Sequence, residues 1–323
     1  MVNVSLLFDT LSSCKNALVI GHTHPDGDCV GSAIGLSFLL DALGIKNSVT
    51  FPDRVPERLE FMLGGKDVLD TLPEDLCAFD VICVDVASPK QLGSLEEVLS
   101  GKVKLRIDHH EVGTPYAEEE FVEKNASATG EIIFSLIEHA KECGKAKKLT
   151  LSAYEAVFGA ISSDTGCFKY ANVTPKTHIM AAKLLESGID AAEINRLLFD
   201  TKSERELAAE KVSLSKAKLF ANGKIGAIAI DECDYKDGLE YSDFETSIYY
   251  ARCVRSVRVA LIAKAVGNGV FRISLRSNDA TDVSRIAAIF GGGGHVRASG
   301  CSVEANTADE AVAKVVAEIE KVL

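Results

Sequence analysis

The sequence predicts an α/β protein: an N-terminal parallel sheet flanked by helices, a helical connector, and a smaller C-terminal α+β domain. Three observations carry this. In the first half, short apolar runs alternate with segments of helical periodicity, the pattern of parallel strands joined by crossover helices. Residues 175–219 are helical in spacing and increasingly charged, with little Gly or Pro. After Asn222-Gly223, strand-like runs dominate, and "GNG" at 267–269 marks a hairpin turn.

Taken in order, residues 17–20 (ALVI) read as a strand, and 30–43 as a helix of small and apolar residues that Gly44 stops. A short strand follows at 47–50. Residues 79–86 form another, whose consecutive Val81, Ile82, Cys83 and Val84 suit a strand covered on both faces. A fourth strand spans 103–107, and helices occupy 129–143 and 152–162. In the second half, strands are expected at 225–230, 257–266 and 270–275, and helices at 282–288 and 307–322. The expected boundaries are residues 1–188 for the first domain, 189–204 for the connector and 205–323 for the second domain.

The 323 residues are enough for two domains. No apolar run reaches the ~18 residues of a membrane-spanning helix. The N-terminus lacks a basic stretch followed by an apolar core, so no membrane is expected and the cytoplasm is the expected compartment. Nine cysteines, an odd number without a Cys-x-x-Cys pair, are expected to be reduced and mostly buried. A net charge of −12 argues against duplex DNA as a partner. Residues 251–300 reverse that sign: seven Arg and one Lys stand against two Asp, as would suit a short anionic ligand held at one place.

Acidic and imidazole residues recur where strands and helices end. His22, His24, Asp26 and Asp28 follow the first strand. Asp85 ends "DVICVD", Asp108, His109 and His110 follow "VKLRI", and Asp164 closes "AYEAVFGAISSD". A lone Asp after a strand is ordinarily a cap or turn residue. Together, at the carboxyl ends of neighbouring parallel strands, these clusters can converge on one rim. Crowded carboxylates repel one another unless a cation neutralises them. A mixture of Asp and His favours manganese over zinc, iron or cobalt. Six ligand-grade residues exceed the needs of one ion, so two ions sharing a bridging Asp are expected, roughly 3.5–4 Å apart. His139 and His178 read as ordinary helix-face residues. Ser162, Ser163 and Cys167 read as structural, since activated water needs no protein nucleophile.

These residues resemble the motifs of the DHH phosphoesterases. "HTHPDGD" is similar to the first, "VDVASPKQLG" to the second, "DHH" at 108–110 to the third and "GAISSDTGCFKYANVT" to the fourth. "SLRSNDATDVSRIAAIFGGGGHVRASG" resembles the DHH-associated domain, with its Gly-Gly-Gly-His signature. The resemblance spans about residues 15–303 and lies closest to the NrnA-type branch. It implies a catalytic DHH domain followed by a substrate-binding domain, acting on short oligoribonucleotides (nanoRNA) and on 3'-phosphoadenosine 5'-phosphate (pAp). It also implies that His22, Asp26 and Asp85 hold one Mn2+ and that Asp28, Asp85, His109 and Asp164 hold the second. His110 would face the substrate phosphate and Asp108 would orient a histidine. His24 falls on a variable position. Arg276, Ser277 and His295 would touch substrate, with the backbone of Gly292, Gly293 and Gly294 reaching an anion. Arg297 adds charge there. Arg252, Arg255 and Arg258 are held in reserve as further substrate contacts; their i, i+3, i+6 spacing equally fits one solvated helix face. The chain departs from the family where Gly113 replaces a common Asn and Tyr116 a common Phe.

Hydrolysis in one domain and anion capture in the other imply a cleft that admits a short single-stranded end. The alternative substrates are pApA or related linear dinucleotides, then pyrophosphate or polyphosphate; a non-catalytic nucleotide-binding protein is the remaining reading. A homodimer is the commonest assembly for such a chain.

Overall fold

The computed structural model describes residues 2–145 and 149–323, and the chain divides into two compact units, Met1–Thr201 and Lys202–Leu323.

The first unit opens with α1 (Val4–Ser12), β1 (Asn16–Ile20), α2 (Gly27–Ala42), β2 (Lys46–Thr50) and β3 (Val68–Leu69). It continues with β4 (Asp80–Val84), α3 (Glu96–Leu99), β5 (Val103–Asp108) and β6 (Glu119–Val122), then α4 (Thr129–Glu142), α5 (Leu151–Asp164), α6 (Pro175–Glu186) and α7 (Ala191–Asn195). The strands form one sheet in the order β3-β2-β1-β4-β5-β6, parallel throughout. Successive side chains point to opposite faces. Ala17, Val19, Ile82, Val84, Leu105 and Ile107 therefore enter the core built with the helices, while Leu18, Ile20, Val81 and Cys83 pack on the other side with Leu92 and Leu99; a register shift between β4 and β5 after Val103 puts that residue on the other side too.

Two features position the rim. β1, β4 and β5 are adjacent, so their carboxyl ends lie side by side. α2 lies against α5 at close range: a Cβ at Gly31 would come within 2.3 Å of the Ala156 carbonyl oxygen. The contacts run antiparallel, from Gly27 beside Ser163 to Gly35 beside Val157. The start of α2 is thereby brought to the end of α5.

The second unit contains α8 (Glu204–Lys216), β7 (Lys218–Phe220), β8 (Ile225–Ile230), α9 (Ile248–Arg252), β9 (Val259–Ala265) and β10 (Val270–Ser277), then α10 (Val283–Ile289), β11 (Gly293–His295), β12 (Ala298–Glu304) and α11 (Ala308–Glu320). Its sheet runs β11-β12-β10-β9-β8-β7, parallel only between β8 and β9. One face packs on α10 and α11 through Leu261, Ile273, Leu275 and Val303. On the other face, α8, α9 and the 3-10 segment Tyr241–Ser247 cover Ile228, Ile230, Ala260 and Ile262 of β8 and β9. The β10–β12 half of that face stays open, with Arg272, His295 and Ser302 exposed.

Several expectations need correction. The first long helix begins at Gly27 rather than Val30, because Asp26 caps it by accepting from Cys29 N. The helical stretch at 175–219 is broken into α6, α7, a π-helical turn at Arg196–Asp200 and α8, and it ends in β7. Arg252, Arg255 and Arg258 do not share a helix face: only Arg252 is in α9, and Arg258 bonds Asp279 and the Leu323 carbonyl instead. The cysteines are not mostly buried, since Cys77, Cys143, Cys233 and Cys253 are exposed and Cys167 is intermediate. Among the described residues, no helix is long and apolar enough to cross a membrane.

Candidate metal centre

The rim of the first sheet gathers all six predicted ligand residues. His22 follows β1, Asp85 follows β4, and Asp108 ends β5 with His109 and His110 behind it. Asp26 and Asp28 stand at the start of α2 and Asp164 at the end of α5. Asp85 takes a left-handed backbone conformation at φ 60°, which Asp tolerates better than most residues. Its amide donates to the Ile107 carbonyl oxygen at 2.9 Å, which ties the turn to β5.

Two imidazoles are fixed in tautomer by the backbone. His22 Nδ1 lies 2.7 Å from the Thr23 carbonyl oxygen and His109 Nδ1 lies 3.2 Å from that of Ala126. A carbonyl oxygen only accepts, so Nδ1 carries the proton in each ring and Nε2 turns its lone pair to the carboxylates. His22 Nε2 is 3.5 Å from Asp85 Oδ2 and 3.7 Å from Asp26 Oδ1. His109 Nε2 is 3.7 Å from Asp85 Oδ1, 3.7 Å from Asp28 Oδ2 and 3.4 Å from Asp164 Oδ2. These separations are too long for good hydrogen bonds. They match neighbouring donor atoms around a shared cation, since ligands at roughly 2.0–2.2 Å from an ion stand further apart than that from one another. Asp85 thus offers one oxygen to each imidazole.

The electrostatics agree. Burial first, then the charges of Asp85, Asp164 and Asp26, raise the Asp28 carboxyl well above the usual range. Burial, reinforced by Asp85 and Asp26 and opposed by His109, pushes Asp164 up to about 7. Burial disfavours a charge on His22, yet Cys29, Asp26 and Asp85 outweigh it and raise its affinity for a proton. Lone pairs and negative charges facing one another in a partly buried place are relieved by a divalent cation. The donor set therefore fits such ions.

Asp28 is fully engaged. Its Oδ1 accepts from Ser32 Oγ at 2.9 Å and Gly130 N at 3.0 Å, and its Oδ2 from Thr129 N at 2.7 Å. Thr129 Oγ1 also donates to Asp85 Oδ1 at 2.9 Å. Asp108, wholly buried, accepts from His110 Nδ1 at 2.7 Å and from the backbone N–H of His109 at 2.8 Å. Burial alone would raise the Asp108 carboxyl; His110 and Arg106 outweigh it and hold it well below its ordinary value. Arg106 also donates to Glu120 at 2.9 Å and lies against the Tyr116 ring.

Sequence reasoning missed Arg106, Thr129, Glu120 and Cys29. Arg106 sits at an inward position of a strand, which marks a buried charge only once the fold is known. Cys29 is buried and accepts the His22 N–H at 3.2 Å, and burial pushes its thiol up to about 11, so it remains protonated. His24 is exposed and turns to Asp53. His139 packs on Phe8 and His178 stacks on Phe168. The buried Ser162 donates to Asn195.

The space at residue 113 suits glycine, and Tyr116 is held by its hydroxyl. A Cβ at Gly113 would come within 2.5 Å of the Ala87 carbonyl oxygen and 2.7 Å of Arg106 Nη2. Tyr116 uses its hydroxyl to donate to the Val86 carbonyl oxygen at 3.1 Å.

In the second unit, Arg276 and the exposed His295 lie in one row of the sheet, each opposite Ala298. Ser277 is buried, and its hydroxyl donates to the Asp279 carbonyl oxygen. The glycine run is not a free anion loop. Gly291 and Gly292 donate their N–H groups to the Ala288 and Ala287 carbonyl oxygens, and Gly293 and Gly294 belong to β11. A Cβ at Gly292 would come within 2.2 Å of the Gly300 carbonyl oxygen, so glycine is required for close approach to β12.

The family description "DHH family, N-terminal domain" matches residues 16–161, and "DHHA1 domain" matches 247–321. The chain is 27% identical over 320 residues to the bifunctional oligoribonuclease and PAP phosphatase NrnA of Thermus thermophilus, covering 98% of this chain and 94% of the relative. The protein of the same description in Bacillus subtilis is 27% identical over 301 residues, covering 92% of each. An exopolyphosphatase-related protein from Bacteroides fragilis superposes with a TM-score of 0.88 at 23% identity, covering 99% of this chain and 96% of that one, and so shares the fold.

Proposed function

The chain belongs to the DHH family and is a phosphoester hydrolase, and from that premise we propose that it is a Mn2+-dependent enzyme cleaving short oligoribonucleotides and pAp. The observation that carries the reading is Asp85 placing Oδ2 near His22 Nε2 and Oδ1 near His109 Nε2, as a residue shared between two cations would. His22, Asp26 and Asp85 would hold one ion, and Asp28, Asp85, His109 and Asp164 the other. When bound, the pair supplies an activated water and neutralises charge on the phosphoryl oxygens.

The chain's own groups do the rest. Burial opposes a charge on His110, yet Asp108, Asp85 and Asp164 outweigh it and raise its affinity for a proton, so with Nδ1 donating to Asp108 the imidazolium offers Nε2–H to a phosphoryl oxygen. Arg106 keeps Asp108 ionised and in place. On the second unit, Arg276 and His295 receive the anionic end of the substrate. Ser277 holds the turn that follows Arg276. The cytoplasm and a homodimer remain the expected setting.

The test is to incubate the full chain with Mn2+ and, separately, a 5-mer RNA, pAp, pApA and pyrophosphate. Release of mononucleotides from RNA and of phosphate from pAp supports the reading. Turnover of pApA alone moves the enzyme to linear dinucleotides. Turnover of pyrophosphate alone overturns the proposal.

A further inference from the structure

Two basic side chains outside the set just named share a row of the second sheet. Lys264 in β9 stands opposite Arg272 in β10, and Arg272 stands opposite Ser302 in β12. Arg272 and Arg276 have the same parity in one strand and so project from one face, about 13 Å apart by the rise of four residues. The row between them holds Ser274, Gly300 and Gly293, which leaves a floor without bulky side chains. On β8 and β9 the same face is walled by α8, α9 and the Tyr241–Ser247 segment.

Lys264 sits at the foot of that wall. It is only 4% exposed, and its Nζ lies 3.7 Å from the centroid of the Tyr241 ring. Among the described residues, no carboxylate forms an ion pair with it; Glu245 acts on it only from further away. Burial lowers its pKa to about 8. Arg272 is exposed and donates Nη1 to Ser302 Oγ at 3.1 Å, again with no carboxylate in ion-pair reach among the described residues. A buried ammonium without an acid is destabilising. A fold that keeps one next to a second unneutralised cation has charge to offer an anion.

We infer that Lys264 and Arg272, with the Ser302 hydroxyl beside them, form a second phosphate subsite, which holds an oligonucleotide at a distance from the end received by Arg276 and His295. The inference rests on the reading that the chain cleaves short RNA. The two places are separated by about 13 Å along the β10 backbone. A strand laid along β10 reaches both more readily than a bisphosphate such as pAp does. The subsite makes turnover depend on oligomer length.

The experiment compares kcat/KM for a 5-mer RNA and for pAp in the Mn2+-loaded full chain. It uses wild type, Lys264→Met, Arg272→Met, and Lys314→Met on α11 as a control for bulk charge. The ratio of the 5-mer value to the pAp value is expected to fall ~10-fold in the first two variants and to stay at the wild-type level in Lys314→Met. The salt slope of log kcat/KM for the 5-mer is expected to shrink by about 0.7 per removed cation. Lys264→Met should melt no lower than wild type, because it removes a buried charge without an acid partner. An unchanged ratio in both variants, or an equal fall for the two substrates, overturns the subsite. Wild-type inactivity on both substrates overturns the underlying reading instead.

Discussion

Asp28 caps a helix to which it does not belong: from the first turn of α2, its Oδ2 accepts the Thr129 N–H at 2.7 Å where α4 begins. The residue in α4's own N-cap position is Ala128, which has no side-chain acceptor. One carboxylate therefore ties two helices together and faces the candidate metal centre, with the helix N-terminus favouring its negative charge.

Asp28→Ala is expected to lower stability by ~1–2 kcal/mol through the lost cap and to diminish the Tm rise expected from Mn2+ in wild type, since one of the two proposed sites loses a ligand. Thermal melts with and without Mn2+ check both. A variant that retains the full Mn2+-dependent rise would refute the shared role.

Asp85→Asn should reduce turnover by ~10³-fold or more, since it weakens both ions at once. Calorimetric titration with Mn2+ should show two sites in wild type and the loss of tight binding at both in the variant. Loss at one site alone contradicts the bridging position.

Asp164 gives a pH dependence. Its folded pKa of about 7 lies above the ordinary ~3.9, so between those values the folded state binds the extra proton. The stability this group contributes is fully present below about pH 4 and is lost as pH rises through about 7. With metal chelated, the Tm of Asp164→Asn minus that of wild type should therefore grow from pH 4 to pH 8. Saturating Mn2+ should reverse the wild-type trend, because ions and protons compete for the same oxygens. A flat difference across that range would show that Asp164 titrates normally.

Gly113→Asn, which restores the residue common in the family, should destabilise this chain by ~1–3 kcal/mol. The new side chain must displace the Arg106 guanidinium or the Ala87 carbonyl. In an Arg106→Met background, itself destabilised by the loss of the Asp108 partner, the same Gly113→Asn change should cost less, because the space Arg106 fills is then free. Urea unfolding of wild type, the two single variants and the double variant decides it; an equal cost of Gly113→Asn in both backgrounds removes the steric link.

Much of the centre was legible because its residues are costly. Buried Asp and His at the ends of apolar strands demand a reason, and parallel strands have only one rim on which to place them. Strands with consecutive apolar residues, such as β4 and β8, were readable for the same cause: both faces are covered. Short or small-residue strands left no such trace. β11 is Gly-Gly-His and β12 carries Ala, Ser and Gly, so their pairing depends on neighbours rather than on their own pattern. The glycine run accordingly read as an anion loop when it is half an edge strand.

Residue type and order alone determined that a ring of carboxylates and imidazoles would collect at the carboxyl edge of a parallel sheet. Unpaired charge is expensive to bury, and strand direction dictates where it collects. Only the tertiary structure decided which atoms face one another: that Asp85 divides its oxygens between His22 and His109, that Arg106 supports Asp108, and that Lys264 stands opposite Arg272. The Asp85 relations join residues far apart in the chain, while the other two are close in sequence, and all of them depend on register, turn and helix packing, which residue type alone does not encode.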